Sequence, residues 1–299
     1  MVDIKSYVKA YIKEQKQYVD QALQEYLDEL PYDSQLTKAM AYALMAGGKR
    51  LRPILCISAA KAIGANEKDV MPAACAIEMI HTYSLIHDDL PAMDDDDMRR
   101  GQPTCHKQFD EATAILAGDA LLTHAFYILS NTLLKSNDPL TWAKIIHILT
   151  QACGCQGMIE GQMRDMIAEK QSLTLDELET LHQLKTGALI QVSITIGALL
   201  GNATSWQLDQ LAIYGQALGI AFQIVDDILN VTGDSSIMGK SVGTDFNRQK
   251  STYPSLLGLD QSKQKANDLS QRAIKALAQF DNCADPLRTI AKYVVERNR

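Results

Sequence analysis

Apolar residues recur at steps of three, four and seven along nearly the whole chain of 299 residues, and this pattern limits the fold more than any other feature. Such spacing places apolar side chains on one face of an α-helix. The pattern covers residues 4–30, 35–46, 54–63, 71–87, 113–134, 140–166, 174–200, 205–230 and 262–299. Prolines fall at the edges of these segments, at Pro31, Pro53, Pro72, Pro103, Pro139, Pro254 and Pro286. Hairpin signals are absent, so we expect one all-α domain over residues 1–299, a single large helical bundle.

Two of the helical segments end in adjacent aspartates. Asp88-Asp89 and Asp226-Asp227 each follow a segment that is hydrophobic nearly all round, which is typical of helices at the centre of a bundle. Burial and the negative end of the helix dipole both disfavour carboxylates there, so these aspartates need compensating charge. Mg²⁺ is suited to this because it prefers oxygen ligands and is shared between carboxylates and substrate phosphates. We therefore expect the two clusters to face each other and to hold a diphosphate through several Mg²⁺ ions.

Net charge, the N-terminal residues, the cysteines and the most apolar stretch argue against nucleic-acid-binding, secreted and membrane-spanning proteins. The net charge of -7 argues against a general nucleic-acid-binding protein. Residues 1–5 lack the start of a signal peptide, and six scattered cysteines without a CxxC pair indicate reduced thiols. Residues 189–200 are interrupted by Gln191, Ser193 and Thr195, so this stretch looks too short and too polar to span a bilayer. We expect a cytoplasmic protein without a membrane span.

A set of short motifs in a fixed order resembles the trans-prenyltransferases, and more narrowly the bacterial farnesyl diphosphate synthases. Asp88-Asp89-x4-Asp94 followed by Arg99-Arg100-Gly101 is similar to the first aspartate-rich motif of that family, and Asp226-Asp227-x2-Asn230 to the second. The other matching motifs are Gly47-Gly48-Lys49-Arg50-Leu51-Arg52-Pro53, Gly161-Gln162-x2-Asp165, Lys185-Thr186-Gly187, Phe222-Gln223 and Gly239-Lys240-x2-Gly243-x-Asp245. The resemblance runs from about residue 35 to 258 and is specific as a set. Asn230 departs from it, since the family usually has Asp there, and this lowers the negative charge near the third metal ion.

The resemblance implies an isoprenoid synthase-like bundle around a deep central cavity, in which isopentenyl diphosphate condenses head-to-tail with dimethylallyl or geranyl diphosphate to give farnesyl diphosphate. It implies three Mg²⁺ ions, with Asp88, Asp94 and Asp226 as their ligands. These ions would stabilise the charge that develops on the departing pyrophosphate.

Further roles follow from the same resemblance. Arg99, Lys185 and Lys240 are implied to contact the allylic diphosphate. Thr186 and Gln223 resemble residues whose oxygen atoms face the developing cation, so Lys185, Thr186 and Gln223 are the expected catalytic residues. The loop 233–243 is a candidate lid, and Arg297 and Arg299 are candidates to cover the closed site.

The second substrate needs its own anion site. The resemblance assigns isopentenyl diphosphate to Lys49, Arg52, His81 and Arg100. Gly47-Gly48 allows the backbone to approach an anion closely, and Arg52 adds a planar fork of donors. His81 lies two helical turns before Asp88, so both residues occupy one stripe of a helix. In this family the released pyrophosphate is thought to remove the final proton, so no protein base is required.

Product length is expected to depend on Tyr83 and Ser84. Tyr83 lies five residues before Asp88, about 7–8 Å back along a helix. If the prenyl tail runs antiparallel to this helix, both side chains line its path. The resemblance implies that a bulky ring at this position limits products to fifteen carbons; simple packing between helices is the alternative interpretation of Tyr83.

Other functions remain open from the sequence. A geranylgeranyl diphosphate synthase shares every metal motif. An HD-type metal phosphohydrolase uses ligand types that His81 and His87-Asp88 offer, although no histidine precedes His81. A non-catalytic helical partner subunit fits poorly because both acidic clusters are largely intact. The family forms homodimers, and the apolar segment 113–134 is a candidate interface.

Overall fold

Most of the described chain is helical. The computed structural model describes residues 4–169, 171–232 and 250–297. The helices are α1 (Ile4–Asp28), α2 (Gln35–Met45), α3 (Leu51–Ile63), α4 (Glu67–Asp88), α5 (Cys105–Gln108), α6 (Glu111–Lys135), α7 (Pro139–Cys153), α8 (Met158–Ala168), α9 (Leu175–His182), α10 (Ala188–Leu200), α11 (Ser205–Thr232), α12 (Tyr253–Leu257), α13 (Leu259–Ala276) and α14 (Asp285–Glu296). A π-helical segment, Gln183–Gly187, joins α9 to α10, and a 3₁₀ turn, Asn282–Ala284, precedes α14. The expected all-α fold is confirmed.

The centre of the bundle is formed by α4 and α11. The first packs against α3, α6 and α10, and the second packs against α10, α13 and α14. Each is surrounded by its own cluster of buried apolar side chains. This arrangement is what the nearly all-round hydrophobic character of the two segments predicts. It brings the last turns of both helices, with their aspartate pairs, to one cavity.

Side-chain caps fix where several helices begin. At the start of α9, the Thr174 N–H donates to the Glu177 carboxylate at 2.8 Å, and the Glu177 N–H donates to Thr174 Oγ1 at 3.3 Å. This reciprocal pair is the capping box that a Thr followed three residues later by Glu predicts. At the start of α4, the Asn66 side chain accepts a hydrogen bond from the Lys68 N–H at 3.1 Å.

The prediction that Pro72 lies at a segment edge is wrong. Because the Asn66 cap starts α4 at Glu67, more than one turn before the apolar pattern begins, Pro72 lies inside the helix. Because Pro72 lies near the N-terminus of α4, its missing N–H removes only one backbone hydrogen bond, in an early turn of the helix.

Two segments that were expected to be continuous are split. The helix predicted over 140–166 ends at Cys153 and restarts at Met158, because the chain turns where Gly157 approaches the Ala152 carbonyl oxygen. A Cβ on Gly157 would lie 2.0 Å from that oxygen, so only glycine fits. The helix predicted over 262–299 is likewise two helices, α13 and α14, and Pro286 lies in the first turn of the second.

One short hairpin was not expected from the sequence. Met98–Arg99 (β1) pairs antiparallel with Gln102–Pro103 (β2). Between them Arg100 and Gly101 both have positive φ, 54° and 78°, as two-residue hairpin turns of type I′ require. Arg-Gly is a weaker signal for such a turn than Asn-Gly, which explains the miss.

Three helical stretches of the described chain are long and apolar enough to cross a membrane, judged by length and composition alone: Glu111–Lys135, Leu175–Leu200 and Ser205–Thr232. Residues 189–200 form the second half of the stretch Leu175–Leu200, in which the π-helical segment joins α9 and α10 into one run of 26 residues. In the bundle, 39%, 44% and 67% of the most apolar window of each stretch is buried inside the protein. That the protein has no membrane span stays a prediction.

Candidate active site

A cavity of about 520 Å³ opens where α4 and α11 end and the π-helical segment bends. Its lining includes Asp88, Asp94, Asp95, Asp96, Asp97, Arg99, Asp165, His182, Lys185, Gln223, Asp226, Asp227, Asn230 and Lys250. The two aspartate clusters, which are far apart in the chain, thus line one common cavity. All three predicted metal ligands, Asp88, Asp94 and Asp226, lie on its walls.

The two carboxylates of the first pair have different surroundings. Burial raises the pKa of Asp88 to about 6, against the opposing charge of Lys185. Asp89 is almost completely buried and pairs with the Arg99 guanidinium, whose Nε lies 2.8 Å from both carboxylate oxygens. Successive side chains on a helix point about 100° apart, so two adjacent carboxylates rarely serve one site equally. Asp89 therefore holds Arg99 at the cavity wall, while Asp88 faces the cavity.

The second pair is divided in the same way. Asp227 is buried and accepts hydrogen bonds from Gln223 Nε2 at 2.9 Å and from the Tyr253 N–H at 3.0 Å. The side chain of Asp226 is 45% exposed and forms an ion pair with Arg297, with Nη2 2.5 Å from Oδ1. Asp227 therefore anchors α11 to the start of α12, and Asp226 presents its charge to the cavity.

The donor set on the walls suits a hard divalent cation. Asp88, Asp94 and Asp226 offer carboxylate oxygens only, and the raised pKa of Asp88 shows that the protein does not fully offset the burial of this charge. In the described parts of the chain, no three His, Cys, Asp or Glu side chains converge into a complete metal site. Separate carboxylates along the wall of one cavity fit Mg²⁺, which is usually held by one or two protein carboxylates and completes its shell with phosphate oxygens and water.

Two lysines share one carboxylate at the cavity wall. Lys185 Nζ and Lys250 Nζ each lie 2.7 Å from Asp165 Oδ2, and Lys250 Nζ lies 3.8 Å from an oxygen of Asp94. Burial alone would raise the pKa of Asp165, but the two ammonium groups outweigh it and hold this pKa at about 2. The cavity therefore carries positive charge beside its acidic walls, as an anionic substrate needs.

Sequence reasoning missed Lys250 and His182. His182 lines the cavity, its ring packs on Tyr253 at 5.5 Å between centroids, and its Nδ1 has no hydrogen-bond partner among the described residues. Burial lowers the pKa of His182 to about 4, so its ring is neutral at physiological pH. The one available signal for His182 was its position three residues before Lys185, on the same helical face.

A chain of hydrogen bonds orients the two residues expected to face the cation. Thr186 Oγ1 donates to Gln223 Oε1 at 2.9 Å, and Gln223 Nε2 donates to Asp227. Thr186 lies in the π-helical segment, and such wider turns often occur at functional sites. The turn is packed closely on α8, since a Cβ on Gly161 would lie 2.2 Å from the backbone N of Lys185.

A second cationic group lies at the start of α3, outside the lining of this cavity. Arg52 Nη1 lies 3.2 Å from His81 Nε2. Burial, then the charges of Arg52 and Arg100, holds the pKa of His81 well below its usual range, so the ring is neutral and Nε2 accepts from Arg52. Burial also lowers the pKa of Arg52, although the charges of Glu78 and Asp226 oppose this.

Gly47 and Gly48, which precede Lys49, are in close contact with the Arg100 side chain. Arg100 Nη1 donates to the Gly47 carbonyl, and a Cβ on Gly48 would lie 2.5 Å from the Arg100 guanidinium carbon. Gly48 also has a φ of +107°, which favours glycine. The structure thus brings all four residues predicted for isopentenyl diphosphate, Lys49, Arg52, His81 and Arg100, to the turn at the start of α3 and its immediate neighbours.

Tyr83 and Ser84 do not line the main cavity. The Tyr83 ring is buried in the core around α4, edge-on to His87 at 5.7 Å, and its hydroxyl has no hydrogen-bond partner among the described residues. Burial raises the pKa of this hydroxyl. Ser84 Oγ donates to the His81 carbonyl at 2.8 Å.

The remaining predicted residues either lie outside the described part of the chain or do not come together in one site. Lys240, Arg299 and the candidate lid 233–243 lie outside the described residues. The histidines considered for a phosphohydrolase have unrelated partners, because His81 pairs with Arg52 while His87 Nε2 lies 3.0 Å from the Ile115 carbonyl oxygen.

Fold and site together define an all-α protein in which two central helices present carboxylates to one cavity, and Lys185 and Lys250 from neighbouring segments line the same cavity. A family model described as polyprenyl synthetase matches residues 33–292. The chain belongs to the polyprenyl synthetase family. Farnesyl diphosphate synthase of Micrococcus luteus is 51% identical over 90% of this chain and 91% of its own length, and that of Geobacillus stearothermophilus is 46% identical over 97% and 98%. Among solved structures, geranylgeranyl pyrophosphate synthetase from Pyrococcus horikoshii aligns with a TM-score of 0.89 at 30% identity, covering 99% of this chain and 100% of its own.

Proposed function

We propose that this protein is a farnesyl diphosphate synthase, which condenses isopentenyl diphosphate with dimethylallyl diphosphate and then with geranyl diphosphate. Membership of the family makes the chain a prenyltransferase. The observation that carries the proposal is that α4 and α11 bring Asp88, Asp94 and Asp226 to the walls of one cavity. Lys185 and Lys250 on the same walls supply the positive charge that a diphosphate needs.

We propose Asp88, Asp94 and Asp226 as the residues that hold Mg²⁺, with three ions in the substrate complex. When bound, Mg²⁺ supplies charge neutralisation for the diphosphate that leaves when the allylic C–O bond breaks. Asn230 on the same wall is a neutral donor in place of a carboxylate, so the second cluster carries less negative charge than usual in the family.

The cationic side chains bind the same leaving group in this proposal. Lys185 is positioned by Asp165, and Arg99 is positioned by Asp89. Both side chains are held before substrate arrives, which reduces the entropy lost on binding. Lys240 is proposed for the same role, and Lys250 joins them because it shares Asp165 with Lys185.

Thr186 and Gln223 are proposed to stabilise the allylic cation through their oxygen atoms. Gln223 cannot rotate freely because Thr186 donates to its oxygen and Asp227 accepts from its nitrogen. An oriented dipole of this kind stabilises a developing charge without reorganising during the reaction.

Isopentenyl diphosphate is proposed to bind at Lys49, Arg52, His81 and Arg100. The unprotonated His81 and the cationic Arg52 are already paired at 3.2 Å, and burial lowers the pKa of both. A diphosphate would relieve the mutual repulsion of the nearby guanidinium groups. The released pyrophosphate then takes the proton from the condensed intermediate, so no side chain is assigned that step.

The position of Tyr83 favours a farnesyl product over a geranylgeranyl product. Tyr83 is a large buried ring on α4, on the order of 7–8 Å before Asp88, where it would stop a tail that grows along the helix. Ser84, its neighbour, is proposed to line the same path. Farnesyl diphosphate synthases from several bacteria are 44–51% identical to this chain, and geranylgeranyl pyrophosphate synthases of two plants are 42–44% identical, so sequence identity favours the farnesyl assignment only slightly.

Three further proposals concern assembly, location and domain organisation. Ile115, Leu116, Tyr127 and Leu134 are exposed on α6, and this apolar face supports a homodimer built on the segment 113–134. The protein is proposed to act in the cytoplasm, and residues 1–299 are proposed to form one domain.

The proposal is tested by incubating the purified protein with isopentenyl diphosphate, either dimethylallyl or geranyl diphosphate, and Mg²⁺, followed by chromatographic sizing of the products. Farnesyl diphosphate as the main product supports it. A main product of twenty carbons assigns the geranylgeranyl alternative, and release of inorganic phosphate from nucleotides without prenyl products assigns the phosphohydrolase.

A further inference from the structure

Arg50 is the most completely buried cation among the described residues, and it does not line the main cavity. Its side chain is 0% exposed, and that of its partner Glu78 is 1% exposed. Arg50 Nη1 donates to Glu78 at 2.9 Å, Nε donates to Asp20 at 2.7 Å, and Nη2 donates to the Leu44 carbonyl at 2.6 Å. One guanidinium therefore ties together α1, the end of α2, the start of α3 and α4.

The backbone at Arg50 is held in a conformation that its side chain must stabilise. Arg50 precedes the first residue of α3 and has a φ of +53°, in the left-handed region. Gly47 and Gly48 also have positive φ, 93° and 107°, so this turn contains three left-handed residues within four positions. A non-glycine residue stays in this region only when its surroundings fix it.

The same ion pair sets the geometry of the second anion site. Glu78 lies three residues before His81 on α4, and Arg50 lies two residues before Arg52, so the pairs Arg50–Glu78 and Arg52–His81 both join the start of α3 to α4. Holding the first pair in place therefore restrains the backbone that carries the second pair. Lys49 is carried by the same turn.

We propose that Arg50 is a positioning residue for isopentenyl diphosphate. It does not touch the substrate. Its hydrogen bonds hold the turn 47–50 against α1 and α4. The fixed turn then positions Lys49 and Arg52 to bind the diphosphate. The inference rests on the proposed function of the Lys49 and Arg52 site and extends it to a residue buried behind that site.

The decisive variant is Arg50→Lys, because a lysine keeps the charge but offers one ammonium group in place of a fork with three partners. We expect the KM for isopentenyl diphosphate to rise about tenfold or more, since a small misplacement of binding groups weakens binding strongly. The KM for geranyl diphosphate and kcat should change by less than about twofold. Calorimetric titration with isopentenyl diphosphate alone should show the same loss of affinity.

Arg288→Lys is the matched control. Arg288 also bridges a carboxylate and backbone carbonyls, with Asp285 at 2.6 Å and the Leu277 and Phe280 carbonyls at 2.6 Å, and it does not line the main cavity. This control should lower the unfolding temperature without changing the ratio of the two KM values. If Arg50→Lys does not fold, Asp20→Ala is the deciding variant, because it removes one hydrogen-bond partner of Arg50 at the more exposed edge of the network and should still raise the KM for isopentenyl diphosphate selectively.

The inference is overturned if the folded variant leaves the KM for isopentenyl diphosphate within about twofold of the parent, or raises both KM values equally. Arg52→Ala separates this outcome from a failure of the proposed site. If Arg52→Ala raises the KM for isopentenyl diphosphate and Arg50→Lys does not, only the positioning role fails. If Arg52→Ala has no effect either, the site itself has been assigned wrongly.

Discussion

Asp165→Asn should destabilise the ligand-free protein by about 2 kcal/mol at neutral pH. The Asp165 carboxylate accepts hydrogen bonds from Lys185 and Lys250, each at 2.7 Å, and its pKa is lowered from 3.8 to about 2. Each tenfold change in proton affinity is worth about 1.4 kcal/mol, so this difference corresponds to about 2 kcal/mol. The side chain is only 14% exposed, so screening by solvent removes little of it.

The sign of the pH dependence follows from the lowered pKa. Because the unfolded chain binds the proton at a higher pH than the folded protein, the stabilisation is complete above about pH 5 and falls as the pH drops towards the folded pKa. The difference between the parent and Asp165→Asn should therefore be about 2 kcal/mol at pH 7 and about 1 kcal/mol at pH 3.

The measurement is urea unfolding at pH 7, 5, 4 and 3, without Mg²⁺ or substrate. Glu160→Gln is the matched control on the same helix, because Glu160 forms an exposed ion pair with Arg164 at 2.8 Å and should contribute no more than about 0.5 kcal/mol. A loss that is independent of pH, or no larger than that of the control, would refute the electrostatic reasoning.

Three other changes test the site. Tyr83→Ala should lengthen the products beyond fifteen carbons because it removes the buried ring that ends the proposed path of the tail; an unchanged farnesyl-only profile on chromatography contradicts this role. Arg297→Gln should lower the Mg²⁺ concentration for half-maximal activity roughly fivefold, because it removes an ion pair worth about 1 kcal/mol from Asp226. Calorimetric titration of Mg²⁺ in the presence of pyrophosphate should show the same shift, and equal Mg²⁺ affinities would exclude competition by Arg297. Gly48→Ala should raise the KM for isopentenyl diphosphate about tenfold, since its Cβ would collide with Arg100; a KM within twofold of the parent shows that Arg100 can move aside.

Helical periodicity predicted the long helices well but not their interruptions. The break before α8 depends on the contact of Gly157 with the Ala152 carbonyl, and the early start of α4 depends on the Asn66 cap. Both are local hydrogen-bonding or steric effects that leave the apolar spacing unchanged. The π-helical segment is similar, because the apolar pattern continues through it and only its backbone hydrogen bonds differ.

The motifs identified most residues of the candidate site, yet they did not show how its charges are compensated. Lys250 reaches Asp165 from a distant part of the chain, and His182 enters the wall from the turn before Lys185. Neither belongs to a motif that the sequence marks as chemical. Arg297 was only a candidate cover, and its pairing with Asp226 depends on how α14 packs on α11.

The sequence by itself determined that two apolar helices carry aspartate pairs near their C-terminal ends, because periodicity depends on residue type and spacing alone. Tertiary structure decided which carboxylate of each pair serves the cavity. Asp89 and Asp227 are held by partners, Arg99 and Tyr253, that only packing brings near, while Asp88 and Asp226 line the same cavity. Adjacent side chains on a helix point in directions about 100° apart, and the rotation of each helix in the bundle is fixed by contacts that no short stretch of sequence contains.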